Sequence, residues 1–235
     1  MITTVLFDLD GTLLPMNQDV FIGAYLSGLT AKMAPFGFDP REIAKAIWAG
    51  TGAMVKNDGS TTNEEAFWKA FGQFFDKDVR ADEPLFTAFY ENEFENAKSV
   101  CGYSEDAKKL VDEAAEMGYK TILATNPIFP AVATKRRMQW AGFCPEDFEL
   151  YTTYENIGYC KPNLQYYKEI LERIGVPAEE CLMIGNDVTE DMVAEKLGMK
   201  VFLLTDCMIN KENKDISVFP NGSFAEAIAY IEQLA

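Results

Sequence analysis

Apolar residues fall into two patterns that alternate through the second half of this chain. Unbroken apolar runs at residues 2–7, 119–125, 181–184 and 200–204 each end in a polar turn. Continuous rather than alternating apolar character is what strands covered on both faces of a parallel sheet require. Between the runs, apolar positions three and four apart predict helices over 105–117, 131–140, 164–174, 189–197 and 224–234. The last of these opens with Ser223 and Glu226 in capping-box spacing. Residues 15–97 break the rhythm, with several helical patterns and no strand. One helix is expected to open at Thr62 with Glu65 three residues on, carrying Phe67, Phe71, Phe74 and Phe75 on one stripe; Phe86, Phe89, Tyr90 and Phe94 make a second. Such stripes suit a hydrophobic ligand pocket or a packed core, and helical spacing favours the core. The 50–59 link is too irregular for helix and reads either as plain connection or as a loop reaching a substrate. The pattern predicts an α/β fold: a doubly wound parallel-sheet core from residues 1–14 plus 98–235, with an all-α insertion at 15–97. Functional groups of such a sheet gather beyond the carboxyl ends of its strands.

Composition narrows the chemistry. With 21 basic and 37 acidic residues in 235 and no histidine, the net charge is −16. That excess repels polyanions and anionic lipid, so neither nucleic acid nor a membrane surface is expected as partner. The absence of histidine removes Ser-His-Asp and Cys-His hydrolysis and histidine-bearing zinc sites. Acid–base work is left to carboxylates, lysine or tyrosine. Five cysteines without a C-x-x-C pair indicate neither a disulfide framework nor a zinc ribbon and read as reduced thiols of a cytoplasmic protein. No apolar stretch reaches membrane-spanning length, and the start of the chain has no basic segment or cleavage site.

Polar groups with chemical potential sit at the ends of the apolar runs. Asp8 and Asp10, two apart, leave an extended backbone in the same direction, and Gly11 allows a sharp turn that brings backbone N–H groups near a ligand. Thr125 and Asn126 end the second run shortly before a helix N-terminus, a place that suits an anion. Lys161 precedes Pro162. Asp187 and Asp191 follow the third run, four residues apart. Taken singly, each is an ordinary turn, an exposed lysine or a pair of helix-start charges; all are placed on one edge of one sheet.

The combination of DLDGT (Asp8, Asp10, Gly11, Thr12), Thr125, Lys161 and GNDVTED (Asp187, Asp191) resembles the four motifs of the haloacid dehalogenase superfamily, whose core is Rossmann-like. The motifs span residues 5–191, and the insertion at 15–97 lies where a family cap domain would. One departure is Asn186, which stands where the fourth motif often has aspartate, so that Asp187 takes the ligand position with a one-residue shift or the metal is held differently. The resemblance implies that Asp8 is a nucleophile forming an aspartyl-phosphate and that Asp10 is its general acid and base. It gives Thr125, Asn126, Gly11 and Thr12 to the phosphoryl oxygens and Lys161 to charge neutralisation. Asp8, Asp187 and the main-chain carbonyl of Asp10 would be the ligands of Mg²⁺, with Asp191 supporting them from behind. Like charges about 4 Å apart repel by about 4 kcal/mol at an effective dielectric near 20, so such a cluster calls for a cation before it accepts phosphate.

The expected activity is therefore Mg²⁺-dependent hydrolysis of a small soluble phosphate monoester. Asp10 argues against a dehalogenase. A sugar-phosphate mutase shares all four motifs and is the alternative enzyme. A phosphoacceptor receiver domain, a signalling class, would place its aspartate after a central strand and lack a large insertion. A non-catalytic binding protein would be indifferent to loss of Asp8. The sequence is silent on oligomeric state.

Overall fold

The computed structural model describes residues 1–234. β1 (Thr4–Phe7), buried at every position, leads into four helices, α1 (Gln18–Met33), α2 (Pro40–Val55), α3 (Asn63–Gly72) and α4 (Glu83–Glu91). The chain then alternates: α5 (Glu105–Glu116), β2 (Lys120–Leu123), α6 (Ala131–Trp140), β3 (Leu150–Tyr151), α7 (Leu164–Ile174), β4 (Cys181–Gly185), β5 (Lys200–Leu204), β6 (Asn221–Gly222) and α8 (Phe224–Glu232). The six strands form one sheet in the order β3-β2-β1-β4-β5-β6, and every pairing is parallel. This is the doubly wound α/β architecture that the alternating pattern predicts. Side chains of β1 divide between two cores: Val5 and Phe7 pack on one face with Leu123 and Ile184, Leu6 on the other with Ile122 and Met183.

Register explains why separated motifs meet. Phe7 pairs with Leu123 of β2 on one side and with Ile184 of β4 on the other. The next residues along all three parallel strands, Asp8, Ala124 and Gly185, therefore stand level, and the polar turns after them leave the sheet at one edge.

The sequence reading denies helix to residues 50–59, and there the structure differs: α2 continues to Val55. A Cβ on Gly50 would lie 2.4 Å from a ring carbon of Phe67, so this glycine serves close packing of α2 on α3 rather than a break. Beyond α2 the link is a connection. The N–H of Asn63 donates to the Ile157 carbonyl, and its side-chain amide donates to the carbonyls of Pro127 and Tyr159, docking the start of α3 beside Lys161. Residues 189–197 do not form the expected α-helix. Asp187 Oδ1 accepts the N–H groups of Thr189 and Glu190, and the chain then takes a 3-10 turn over Met192–Leu197. β3 and β6 have two residues each and offer no apolar run to read. The capping box at Ser223 and Glu226 forms, and the Thr62 hydroxyl accepts the Glu65 N–H.

Of the aromatic stripes, Phe71, Phe86, Phe89, Tyr90 and Phe94 are buried, whereas Phe74 faces solvent. α1 contributes Phe21, Tyr25, Leu29 and Met33, four residues apart on one face. Phe94 is the junction between these helices and the sheet layer, with ring centroids 4.9 Å from Trp140 of α6, 5.4 Å from Tyr90 and 6.1 Å from Phe21. Phe94→Ala leaves a cavity at that junction and is expected to lower unfolding free energy by about 3–5 kcal/mol, read as a lower urea midpoint. A loss under about 1 kcal/mol would mean that the two layers hold together without it.

Candidate active site

Asp8 and Asp10 follow β1, and the turn after them is tight. The Gly11 N–H donates to the Leu14 carbonyl at 2.8 Å, and the Thr12 N–H donates to that of Leu9 at 3.1 Å. Gly11 has φ +85°, and a Cβ there would come 2.4 Å from the Asn186 amide nitrogen. The backbone donors expected of Gly11 and Thr12 are thus spent within the turn. Among the described residues the N–H groups of Leu9 and Asp10 have no partner, which moves the free donors toward Asp8. The Thr12 hydroxyl lies 2.9 Å from Asp8 Oδ2 and 3.0 Å from Asn186 Oδ1, one proton shared between two acceptors.

Lys161 joins the ends of β1 and β4. Its ammonium donates to Asp8 Oδ1 at 2.9 Å and to Asp191 Oδ1 at 2.6 Å, and all three side chains are buried. Asp191 Oδ2 in turn accepts the Asp187 N–H at 2.9 Å. A Cβ on Gly185 would fall 2.2 Å from that oxygen, so only glycine leaves room for Asp191 here. Burial alone would lower the Lys161 pKa, but Asp191 and Asp8 together hold it well above its ordinary value. Burial raises the Asp191 carboxyl against the pull of Lys161. Asn186, the departure from the motif, donates its amide to the Cys207 carbonyl at 2.6 Å and braces the turn from below.

Asp8, Asp10, Thr125, Asn126, Asn186, Asp187 and Asp191 all border one cavity of about 180 Å³. Lys161 reaches it through Asp8, while Gly11 and Thr12 lie behind its wall. The N-terminus of α6, expected to face an anion, already has one: the Ala131 N–H donates to both carboxylate oxygens of Glu155, at 2.8 and 3.0 Å.

Two site residues escape the sequence reading. Arg137 of α6 is fully buried, ion-paired with Asp10 and 4.4 Å over the Phe129 ring. It stands midway between buried Ala133 and Ala141, so an arginine on the apolar face of a predicted helix was the available signal. Glu190, inside the fourth motif, accepts the Asn126 amide at 3.0 Å and borders the cavity. Burial pushes its carboxyl up to about 7, opposed by Lys161 and reinforced by Asp191. Burial also raises Asp10; Arg137 opposes the shift and the charge of Asp8 adds to it.

Among the described residues no three acidic or cysteine side chains form a ready metal cage. The available donors are instead two cavity carboxylates, Asp8 and Asp187, and the Asp10 main-chain carbonyl, a hard-oxygen set. Asp10 Oδ1 and Asn126 Oδ1 are buried without a hydrogen-bond partner, so the same cavity has acceptor capacity unspent on protein donors. These residues fit a hard divalent cation and its attendant waters.

Arg137→Met leaves Asp10 without its counter-charge and is expected to cost about 3 kcal/mol in urea unfolding. Adding Asp10→Asn to that variant should restore part of the loss, since the two changes share one interaction. Strictly additive losses would mean that the ion pair contributes nothing to the fold.

The chain has similar sequences and a similar fold among known proteins. A family model described as haloacid dehalogenase-like hydrolase matches residues 2–198. The glyceraldehyde 3-phosphate phosphatase of Methanocaldococcus jannaschii is 26% identical over 243 residues, covering 100% of this chain and 99% of that protein. The ribulose-1,5-bisphosphate 5-phosphatase of Halopiger xanaduensis is 25% identical over 209 residues, covering 86% of this chain and 84% of its own. The crystal structure of 2-haloacid dehalogenase from Pseudomonas syringae pv. Tomato DC3000 shares the fold, with TM-score 0.64 and 18% identity over 100% of each chain. The family model spans strands β1–β4 and every strand-end residue that meets at the cavity up to Asp191, and the chain belongs to the haloacid dehalogenase-like hydrolases.

Proposed function

We propose that this hydrolase is a Mg²⁺-dependent phosphatase that cleaves a small phosphate monoester through an aspartyl-phosphate on Asp8. The observation that carries the reading is the pair of aspartates at the cavity floor, each with its own buried cation: Asp8 on Lys161 and Asp10 on Arg137. Two adjacent carboxylates in different environments are what a reaction needs when one must attack as an anion and the other must donate and recover a proton.

In this reading Asp8, oriented by the Thr12 hydroxyl and Lys161, attacks phosphorus. The bond to the ester oxygen breaks, and Asp10 gives its proton to the departing alkoxide. Burial and the neighbouring charge of Asp8 favour that proton on Asp10; once it has left, Arg137 stabilises the carboxylate. Asp10 then takes a proton from water as it attacks the phosphorus of the aspartyl-phosphate, releasing phosphate and restoring Asp8. Thr125 and Asn126, at the end of β2, would hold phosphoryl oxygens, and Lys161 would offset charge on Asp8. Asp8, Asp187 and the Asp10 carbonyl would hold magnesium, which supplies the positive charge that lets a phosphate dianion enter a cluster of carboxylates. Helices α1–α4, residues 15–97 in all, would act as a cap that encloses the ester and excludes water.

A panel of phosphorylated metabolites assayed with Mg²⁺ tests the reading. Asp8→Asn is expected to lower kcat/KM by at least about a thousandfold with the fold intact by circular dichroism. Exhaustive chelation should abolish turnover and added Mg²⁺ restore it. Wild-type rates in Asp8→Asn, or turnover indifferent to chelation, would overturn it.

A further inference from the structure

Resting on the phosphatase reading above, we propose that the ester group cleaved from phosphate is an uncharged, compact, apolar alcohol, accommodated by an aromatic wall that carries no positive charge. The cavity has two unlike ends. At the floor stand the carboxylates of the strand ends; facing them, α1 presents Phe21 and Tyr25, one turn apart, α3 presents Phe67 and Trp68, and α4 presents Phe86 and Tyr90. The helical stripes that the sequence reading gives to the core are therefore also the lining of the space above the reacting groups.

Charge separates this cavity from one built for a doubly anionic metabolite. Although the chain has 21 lysines and arginines, none among the described residues borders the cavity. Lys161 and Arg137 lie behind Asp8 and Asp10 and are committed to them. The charged residues that do border it are all acidic, and the one away from the floor is Glu83. A second phosphate or a carboxylate on the leaving group would be desolvated against carboxylates and aromatic rings with no counter-charge. Recognition of such a group normally recruits arginine or lysine.

The wall is poor in free polar atoms as well. The hydroxyls of Tyr25 and Tyr90 are 2.9 Å apart and hydrogen-bond to each other, and burial pushes the Tyr25 hydroxyl up to about 12, so it stays neutral. Gln18, Thr51, Thr87, the Tyr154 hydroxyl and the unpartnered Trp68 indole N–H remain, and none of them carries a charge that would offset an anion. Aromatic faces reward apolar contact. The volume of about 180 Å³ sets the scale: an apolar cavity of about 150 Å³ takes one benzene ring. A phosphoryl group with a short branched or singly ringed alcohol matches that scale.

Matched esters with the same kind of primary alkoxide leaving group test the proposal with Mg²⁺-loaded full-length protein. Pentyl phosphate and benzyl phosphate are compared with 4-(phosphonooxy)butanoate and propane-1,3-diyl bisphosphate, with 4-nitrophenyl phosphate as a general probe. The apolar pair is expected to exceed the charged pair in kcat/KM by at least about tenfold. Thr51→Lys, which puts an ammonium on the α2 side of the wall, should narrow that ratio at least about fivefold by raising the carboxylated member. Charged esters turned over as well as the apolar ones, or a ratio unmoved by Thr51→Lys, would overturn the proposal while leaving the phosphatase reading in place. Turnover of none of the five compounds, or turnover that persists in Asp8→Asn, would instead strike the phosphatase reading and this proposal with it.

Discussion

The arrangement depends on one buried cation shared by two carboxylates. Lys161 bonds to Asp8 at the end of β1 and to Asp191 beyond β4, and the three side chains are almost wholly out of water. Removing a charge from water costs several kcal/mol unless it is paired, so none of the three is tolerable there without the others. The consequence reaches the backbone. Asp191 must come within reach of Lys161, which requires that position 185 have no Cβ, and its second oxygen then fixes the Asp187 N–H. A turn that could have continued into helix is held instead as the short 3-10 segment, and Asp187 is left at the cavity edge.

Much of this was legible because it is local. The strand-to-turn transitions at Asp8, Thr125 and Gly185 are written in contiguous residues, and parallel pairing does the rest by bringing the three ends level. What could not be read is what arises across the chain. Arg137 lies 127 positions from Asp10, and nothing in the neighbourhood of either names the other. Glu190 was inside a quoted motif, yet its partner Asn126 is 64 positions away. The Gly50 error has the same origin: glycine reads as a helix breaker until a Phe67 ring is placed against it. Residues 189–197 had a helical spacing, which lost to side-chain acceptors competing for the first N–H groups.

The two aspartates after β1 illustrate how neighbouring, chemically identical groups come to differ. Asp8 faces a lysine that it shares with Asp191, and the Thr12 hydroxyl is held against its other oxygen. Asp10 faces an arginine through one oxygen only, its other oxygen having no partner. Burial and the charge of Asp8 push the Asp10 carboxyl toward protonation while Arg137 resists. Opposed influences of this kind leave a group able to change protonation state at modest cost, which is the property asked of an acid that must later serve as a base. Asp8, held on both oxygens, has less freedom to move and is suited to a fixed line of approach.

The charge balance of the cavity as a whole then bears on what enters it. Five carboxylates, Asp8, Asp10, Asp187, Glu190 and Asp191, gather at its floor, and two protein cations answer them from behind. In the proposed reaction that floor would repel a phosphate dianion until a divalent cation is added, and the repulsion would be stronger for any ligand that carries a second anion further from the metal. The aromatic helices opposite offer that second anion no positive charge, and the Tyr25 and Tyr90 hydroxyls are spent on each other. One cation can compensate only the phosphate it touches. Because the metal would offset charge at one end alone and the other end is apolar, the same electrostatics that demand a cation at the floor also favour a ligand whose remainder is neutral.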